Sequence, residues 1–381
     1  LFVEPDAATR GEAEMKYLEV PINVPRFWVP KETANALLPV VESGNAAATV
    51  RCKMSWGNRV VKNIIGLLPG SDPELSRQCI VIEAYYDSIS VVPGLSPGAD
   101  QAGGIAALLE LAGYLKERRL PRSVLFVATA GHFQALSGMR EFSQLFGAKG
   151  KREEQEAQRL KEAKSRKQKR ISELEAKINY LQALLRRPTT FEELAKDYTS
   201  NIEELKGEIS RLENDVAITD MFAHAADGRV LEKPIFICLD LSSQSNAFGL
   251  FFSGTYYGKH DKARFFSPFG KTMRKLMAPE VKELGLDSDR EFVDASNPVQ
   301  NMVWSDYFAG DIAFDSETSI HTGRPAITFV TVNDARAYFN TPHDTLAHFN
   351  AENLATQVYL LENGLGRLLD VERLLPRELV E

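Results

Sequence analysis

Three short runs constrain the fold more than anything else in this chain. Cys79–Ala84, Ser123–Ala130 and Pro234–Leu241 are each almost continuously apolar, rich in Val, Ile and Phe, and bounded by turn-forming residues. Runs of this length and composition read as strands buried on both faces, not as the alternating strands of a one-sided sheet. Between the first two lies Gly103–Arg118, where Ile105, Leu108, Leu109, Ala112 and Leu115 recur at helical spacing before a charged last turn. Phe248–Ser253 and Ala326–Val330 read as further strands, Ser267–Leu284 and Ala351–Leu369 as further helices. Strands alternating with helices predict an α/β fold, a mostly parallel mixed sheet with helices on both faces.

One stretch breaks that rhythm. Lys151–Arg170 is almost unbroken charge, basic on balance, after which Ile171, Leu174, Ile178, Leu181 and Leu185 recur at steps of three and four. That spacing is a coiled-coil seam. Arg187-Pro188-Thr189-Thr190 interrupts the helix, and Thr190 with Glu193 forms a capping box for a new one. A second seam follows through Ile202, Leu205, Ile209, Leu212 and Val216. Two matching seams joined by a short breaker predict an antiparallel coiled-coil hairpin over residues 149–218.

The loops after the strands carry recognisable words. The first strand runs Ile80-Val81-Ile82-Glu83-Ala84-Tyr85-Tyr86-Asp87-Ser88, followed by Pro97-Gly98-Ala99-Asp100-Gln101-Ala102-Gly103-Gly104. The second ends Ala130-Gly131-His132-Phe133, then Leu136-Ser137-Gly138, and near the C-terminus stands Asn340-Thr341-Pro342-His343-Asp344-Thr345-Leu346. Together these resemble the di-zinc aminopeptidase family, which also contains proteins such as transferrin receptor and nicastrin that keep the fold without peptidase activity. In that family the corresponding words read His-x-Asp-Ser, Pro-Gly-Ala-Asp-Asp-x-x-Gly, Glu-Glu-x-Gly-Leu-x-Gly-Ser and His-Thr-x-x-Asp-Thr-Leu. Lys62–Ser71 is similar to the family's leading strand. The resemblance implies an aminopeptidase-like α/β domain over residues 56–148 and 219–381, with the hairpin as an insertion foreign to the common core. Residues 1–55 resemble part of a protease-associated β module: a Pro-bounded run over Pro21–Val29, a helix at Lys31–Leu38 and a strand at Ala47–Met54.

What the resemblance implies about chemistry is mostly a loss. Family members hold two zinc ions with two histidines, a bridging aspartate and two terminal acids, and a glutamate acts as general base. Imidazole and carboxylate suit zinc because they offer lone pairs to a metal that then acidifies its bound water. Here the first histidine falls on Tyr85, the bridging aspartate on Gln101, the base on His132, the adjacent acid on Phe133 and the last histidine on Asn340. Asp240 is the only ligand position retained; Asp100 aligns with the acid before the bridge, and Asp87 with the acid that orients the lost histidine. His132, His343, Asp87, Asp100 and Asp315 are the side chains from which a rearranged metal site would have to be recruited. Asp87 is expected on backbone groups near Tyr85, Asp240 on Tyr85 or His132, and Asp344-Thr345 as the cap of the terminal helix. Gly98, Gly103 and Gly104 read as a tight loop and close packing, not as a phosphate cradle.

Composition sets the remaining bounds. The 381 residues are 44% hydrophobic and carry a net charge of -7, which gives no reason to expect nucleic acid as a partner. Cys52, Cys79 and Cys238 are an odd number without zinc or redox spacing, and Cys79 and Cys238 sit in apolar runs as buried thiols. The sequence opens at Leu1 with neither a signal peptide nor an apolar stretch of ~18 residues, and reads as an excised portion of a longer, membrane-anchored protein. The expectation is a catalytically inactive, extracytoplasmic peptidase-like scaffold, binding no zinc or other cofactor and meeting a protein partner through the hairpin. The alternatives are an active zinc peptidase with a rearranged site, and a peptide or small-ligand sensor. The sensor would use a pocket lined by Tyr85, Gln101, His132, Phe133, Asp240 and Asn340.

Overall fold

The computed structural model describes residues 2–3, 9, 27–51, 60–92, 94–147, 151–187, 191–226, 234–251, 263–288, 290–295, 314–322, 324–371 and 374. Two short strands, β1 (Phe2–Val3) and β2 (Trp28–Val29), pair in parallel ahead of helix α1 (Lys31–Glu42). The expected run from Pro21 falls outside the described residues as far as residue 26, and residues 47–51 form no strand.

The main sheet has seven strands: β3 (Ile64–Leu68), β4 (Cys79–Tyr85), β5 (Ser123–Thr129), β6 (Ile235–Asp240), β7 (Phe248–Phe251), β8 (Phe292–Asp294) and β9 (Ala326–Thr331). Their spatial order is β3-β5-β4-β6-β9-β7-β8. β5, β4, β6 and β9 run parallel, while β3 lies antiparallel on β5 and β7 antiparallel on β9. Every residue of β4 and β6 is buried, as the unbroken apolar runs require of strands covered on both faces. This is a mixed α/β architecture with a mostly parallel central sheet.

Helix α2 (Gly103–Lys116) starts where Gly103 and Gly104 press against the end of β6. A Cβ on Gly103 would lie 2.4 Å from the Leu241 carbonyl oxygen, and one on Gly104 2.7 Å from that of Leu239. These contacts fix the helix's rotation, so Ala107, Leu108, Leu111 and Leu115 face the sheet at steps of three and four. Leu109, expected on the inner face, is instead 67% exposed, because two inward glycines turn its position to the opposite side. Helix α3 (Ser137–Gly147) follows β5 and packs Met139, Phe142 and Phe146 into the core.

Next come α4 (Lys151–Leu185) and α5 (Glu192–Ala226), 35 residues each. At 1.5 Å per residue each spans on the order of 50 Å. They pack against one another through Leu174, Ile178 and Leu181 on one side and Ile202 and Leu205 on the other. Lys167 meets Asp215 and Arg170 meets Glu208, which fixes the two helices as antiparallel. α5 continues to Ala226, eight residues beyond the expected end of the insertion at 218, while Pro188–Thr190 lies outside the described residues. The remaining helices are α6 (Ala263–Glu283), α7 (Ser316–His321) and α8 (Ala351–Asp370). The cap of α8 is Asn350, whose side chain accepts from the backbone N–H groups of Glu352 and Asn353, not Asp344-Thr345. At its other end the wholly buried Arg122 donates to the carbonyls of Leu369 and Val371, closing the helix onto the start of β5.

Because the seam of α4 and α5 is buried only between the two helices, the outer hairpin contributes little to the sheet's core. Joining Arg170 to Glu208 through a short turn, with residues 171–207 removed, is expected to shift the core's Tm by no more than ~2 °C in calorimetry.

Candidate functional site

Parallel strands end at one edge, and the first two aligned words of the sequence meet there. β4 and β5 are in register with Tyr85 opposite Thr129, and β4 and β6 with Glu83 opposite Cys238, so Tyr85, the loop after β5 and Asp240 reach the same level. The Tyr85 and His132 rings stack with centroids 3.9 Å apart, and Phe133 stands edge-on to both, 5.8 Å from Tyr85 and 4.9 Å from His132. Asp87 accepts a hydrogen bond from the His132 backbone N–H at 3.3 Å, so it braces the loop after β5 and not the groups near Tyr85.

His132 is held by an acid from a distant part of the chain. Its Nδ1 lies 2.6 Å from an Asp315 carboxylate oxygen, and both side chains are buried. Burial works against the imidazolium, but the bond and charge of Asp315 outweigh it and raise the His132 pKa. Asp315 is itself pushed up by burial, with His132 opposing the shift. Beneath the pair lies Glu83, buried in the middle of β4, whose carboxyl accepts from the Thr129 hydroxyl at 2.5 Å. Burial, then the nearby Asp315 charge, drives the Glu83 pKa well above its ordinary value, which favours the protonated carboxyl.

Asp240 does not turn to Tyr85 or His132, as expected from the sequence. Its Oδ1 accepts from an Arg336 guanidinium nitrogen at 2.6 Å and its backbone carbonyl from the other at 3.0 Å. Gln101 closes a loop: its Oε1 accepts from the Ile89 N–H at 2.8 Å and its Nε2 donates to the Ile89 carbonyl at 2.9 Å. Asp100 accepts from the hydroxyls of Ser242 and Ser243 and from the Ser243 N–H, each at 2.7 Å. Asp344 accepts from the Asp100 N–H at 2.7 Å, and burial lifts its pKa to about 6 against those hydrogen bonds. Asn340 sits in the left-handed region at φ 61° with its carbonyl accepting from the Val91 N–H, and the His343 ring lies 6.3 Å from that of Trp28. The structure thus gathers Tyr85, Asp87, His132, Phe133 and Asp240, gives Asp100, Gln101 and Asn340 to loop closure, and sets His343 beside Trp28.

These donors do not fit a pair of zinc ions. Nδ1 of the imidazole is bonded to Asp315, one oxygen of the retained carboxylate to a guanidinium, and the amide at the bridging position to a backbone, while Asp240 Oδ2 and Asp315 Oδ1 are buried with no hydrogen-bond partner among the described residues. Among the described residues no three His, Cys, Asp or Glu side chains are grouped to hold an ion. An open, mainly apolar groove of about 620 Å³ lies along α2, lined by residues that include Pro97, Ala102, Ala106, Leu346 and Phe349 and by none of the nine side chains read from the sequence. Arg336 carried no sequence signal, being one arginine in a loop after a buried strand. Glu83 carried one, an acid inside an otherwise apolar strand.

Residues 63–164 match Peptidase family M28. Over 87 residues, 21% of the chain, the sequence is 40% identical to nicalin of Caenorhabditis elegans, of which it covers 15%. Among solved structures it is similar to BSAP, a zinc aminopeptidase from Bacillus subtilis, at TM-score 0.41 and 12% identity over 80% of this chain and 49% of that one. It is also similar to the gamma-secretase component nicastrin, at TM-score 0.43 and 11% identity over 84% and 45%. The chain therefore spans a small part of nicalin's length and about half that of these structures.

The buried acids and His132 give a pH dependence of definite sign. His132, Asp315, Glu83 and Asp344 all have folded pKa values above their ordinary ones, so the native chain holds protons that the unfolded chain releases. For His132 the stabilisation is complete below its ordinary pKa and is lost as pH rises through the raised one. For Asp344 it is complete below its ordinary carboxylate range and is lost as pH rises through about 6. The Tm is expected to be higher at mildly acidic pH than at pH ~8. Asp344→Asn should flatten the dependence near pH 6, and His132→Gln should flatten it above.

Proposed function

We propose that this chain is a catalytically inactive peptidase-like domain, binding no zinc, that serves as a scaffold for protein interaction. The observation that carries the reading is the 2.6 Å pairing of Asp240, the one retained ligand position, with Arg336, where among the described residues no three His, Cys, Asp or Glu side chains are grouped to hold an ion. A general base must accept a proton from water, and the His132 ring is buried, stacked on Tyr85 and edge-on to Phe133. The match of residues 63–164 to Peptidase family M28 supports the peptidase-like frame.

The interaction surface is the hairpin of α4 and α5. It buries its own seam, carries dense charge outside, and exposes Tyr180, Phe191 and Leu194 near its tip. Charge of this density favours electrostatically steered, salt-sensitive docking on a protein partner. We place the domain on the extracytoplasmic side of a membrane, within a longer anchored protein, on the strength of the family resemblance. Among the described residues no helix is long and apolar enough to cross a membrane.

Elemental analysis of the dialysed chain is expected to find no stoichiometric zinc, and amino-acyl p-nitroanilides should be hydrolysed no faster than in buffer. Stoichiometric zinc with chelator-sensitive hydrolysis would reverse the reading in favour of an active, rearranged site. The hairpin is tested separately by affinity purification from cells. The chain lacking residues 171–207 should lose its co-purifying proteins, and Asp240→Ala should keep them; the opposite pattern moves the ligand-sensor reading ahead.

A further inference from the structure

We propose that Arg336 is the resident cation of the carboxyl edge, supplying from within the chain the positive charge that a metal centre would supply there. The inference rests on the reading of the edge as metal-free. Asp240 is the one retained ligand position, and its carboxylate is nearly sealed from water, with 5% of its side chain exposed. A buried carboxylate without a counter-charge is costly, by several kcal/mol or more. Arg336 meets it with a side chain that is fully buried, and the guanidinium bonds both the carboxylate and the carbonyl of the same residue. Two bonds from one planar group to one residue fix direction as well as charge.

The backbone is shaped to deliver that group. Arg336 lies in the left-handed region at φ 48°, a conformation that non-glycine residues adopt only where surrounding contacts enforce it. The enforcing contacts are visible. The Arg336 N–H donates to Asp334 Oδ1 at 2.7 Å, and the Phe339 ring lies under the guanidinium at 5.3 Å. Asn333 and Asn340, at either end of the same loop, share the left-handed conformation. Burial opposes the charge on Arg336, yet Asp240, Tyr85 and Asp334 together hold it charged at every accessible pH.

The charges around it are balanced to match. A zinc pair needs several anionic donors, whereas one guanidinium tolerates about one. The positions corresponding to the bridging and terminal acids hold Gln101 and Phe133, both neutral, and Asp315 is answered by His132. Arg336 is left facing Asp240, which its guanidinium bonds, and Asp334, which accepts from its backbone N–H.

The test is a coupling measurement on the whole chain by thermal unfolding. Arg336→Met should lower Tm by ~10 °C, the scale for stranding a buried charge in a domain of this size. Arg336→Lys, which keeps the charge, should lose less. Arg336→Met with Asp240→Asn should recover about half of the loss, because the stranded anion is gone. Should Arg336→Met not fold, folding of the double variant supports the proposal and joint failure overturns it. Equal losses for the Met and Lys variants, a double variant no more stable than Arg336→Met, or a native Tm that rises in excess ZnCl2 or falls in excess EDTA would each overturn it. Peptidase turnover, or a hairpin dispensable for binding, would overturn the scaffold reading and leave these couplings unchanged.

Discussion

A sheet sealed on both faces must resolve its charges at its ends. In this molecule β4, β5 and β6 are buried along nearly their whole length, and their carboxyl ends converge on a small volume that includes Glu83, Asp240, Asp315 and His132. No water-facing surface is available to those side chains, so each acid must be protonated, paired or hydrogen-bonded by the chain itself. All three solutions occur within a few residues of one another. Burial favours the protonated form of Glu83, Asp315 pairs with His132, and Asp240 pairs with Arg336. The loops around the edge, including the left-handed turn from Asn333 to Asn340, are arranged to deliver those partners.

Much of the sheet could be read directly from the amino acids, because β4, β5, β6 and β9 advertise double-sided burial as unbroken apolar runs. β8 and α7 could not. Phe292–Asp294 is too short to show a period, and Ser316–His321 is a single polar turn-and-a-half whose place is set by tertiary packing. The site divides in the same way. Tyr85, His132, Phe133 and Asp240 were legible because each directly follows a readable strand and occupies a fixed place in a motif. Their partners were not, since Asp315 lies 183 residues from His132 and Arg336 lies 96 from Asp240. A motif shows which group has been lost from a position; only the fold shows which distant side chain has taken over its duty. Leu109 makes the same point for packing, because periodicity alone cannot show that two glycines rotate its helix.

The substitutions at this edge form a consistent set. Tyr85 supplies a flat ring on which His132 stacks, and Phe133 walls off the same volume edge-on. Gln101 satisfies both backbone groups of Ile89. Each of these side chains adds a packing or hydrogen-bonding partner, so the edge is filled with structure.

The helical pair follows α3 and precedes β6 in the chain, with Lys167 facing Asp215 and Arg170 facing Glu208 about midway along its arms. The arms are antiparallel, so length added to one beyond these pairs is matched on the other. Seven residues added to each arm there would extend the projection by ~10 Å while leaving those pairs, and every strand register, unchanged. Reach is therefore a quantity that can drift in heptad-sized increments under selection, independently of the stability of the domain that carries it.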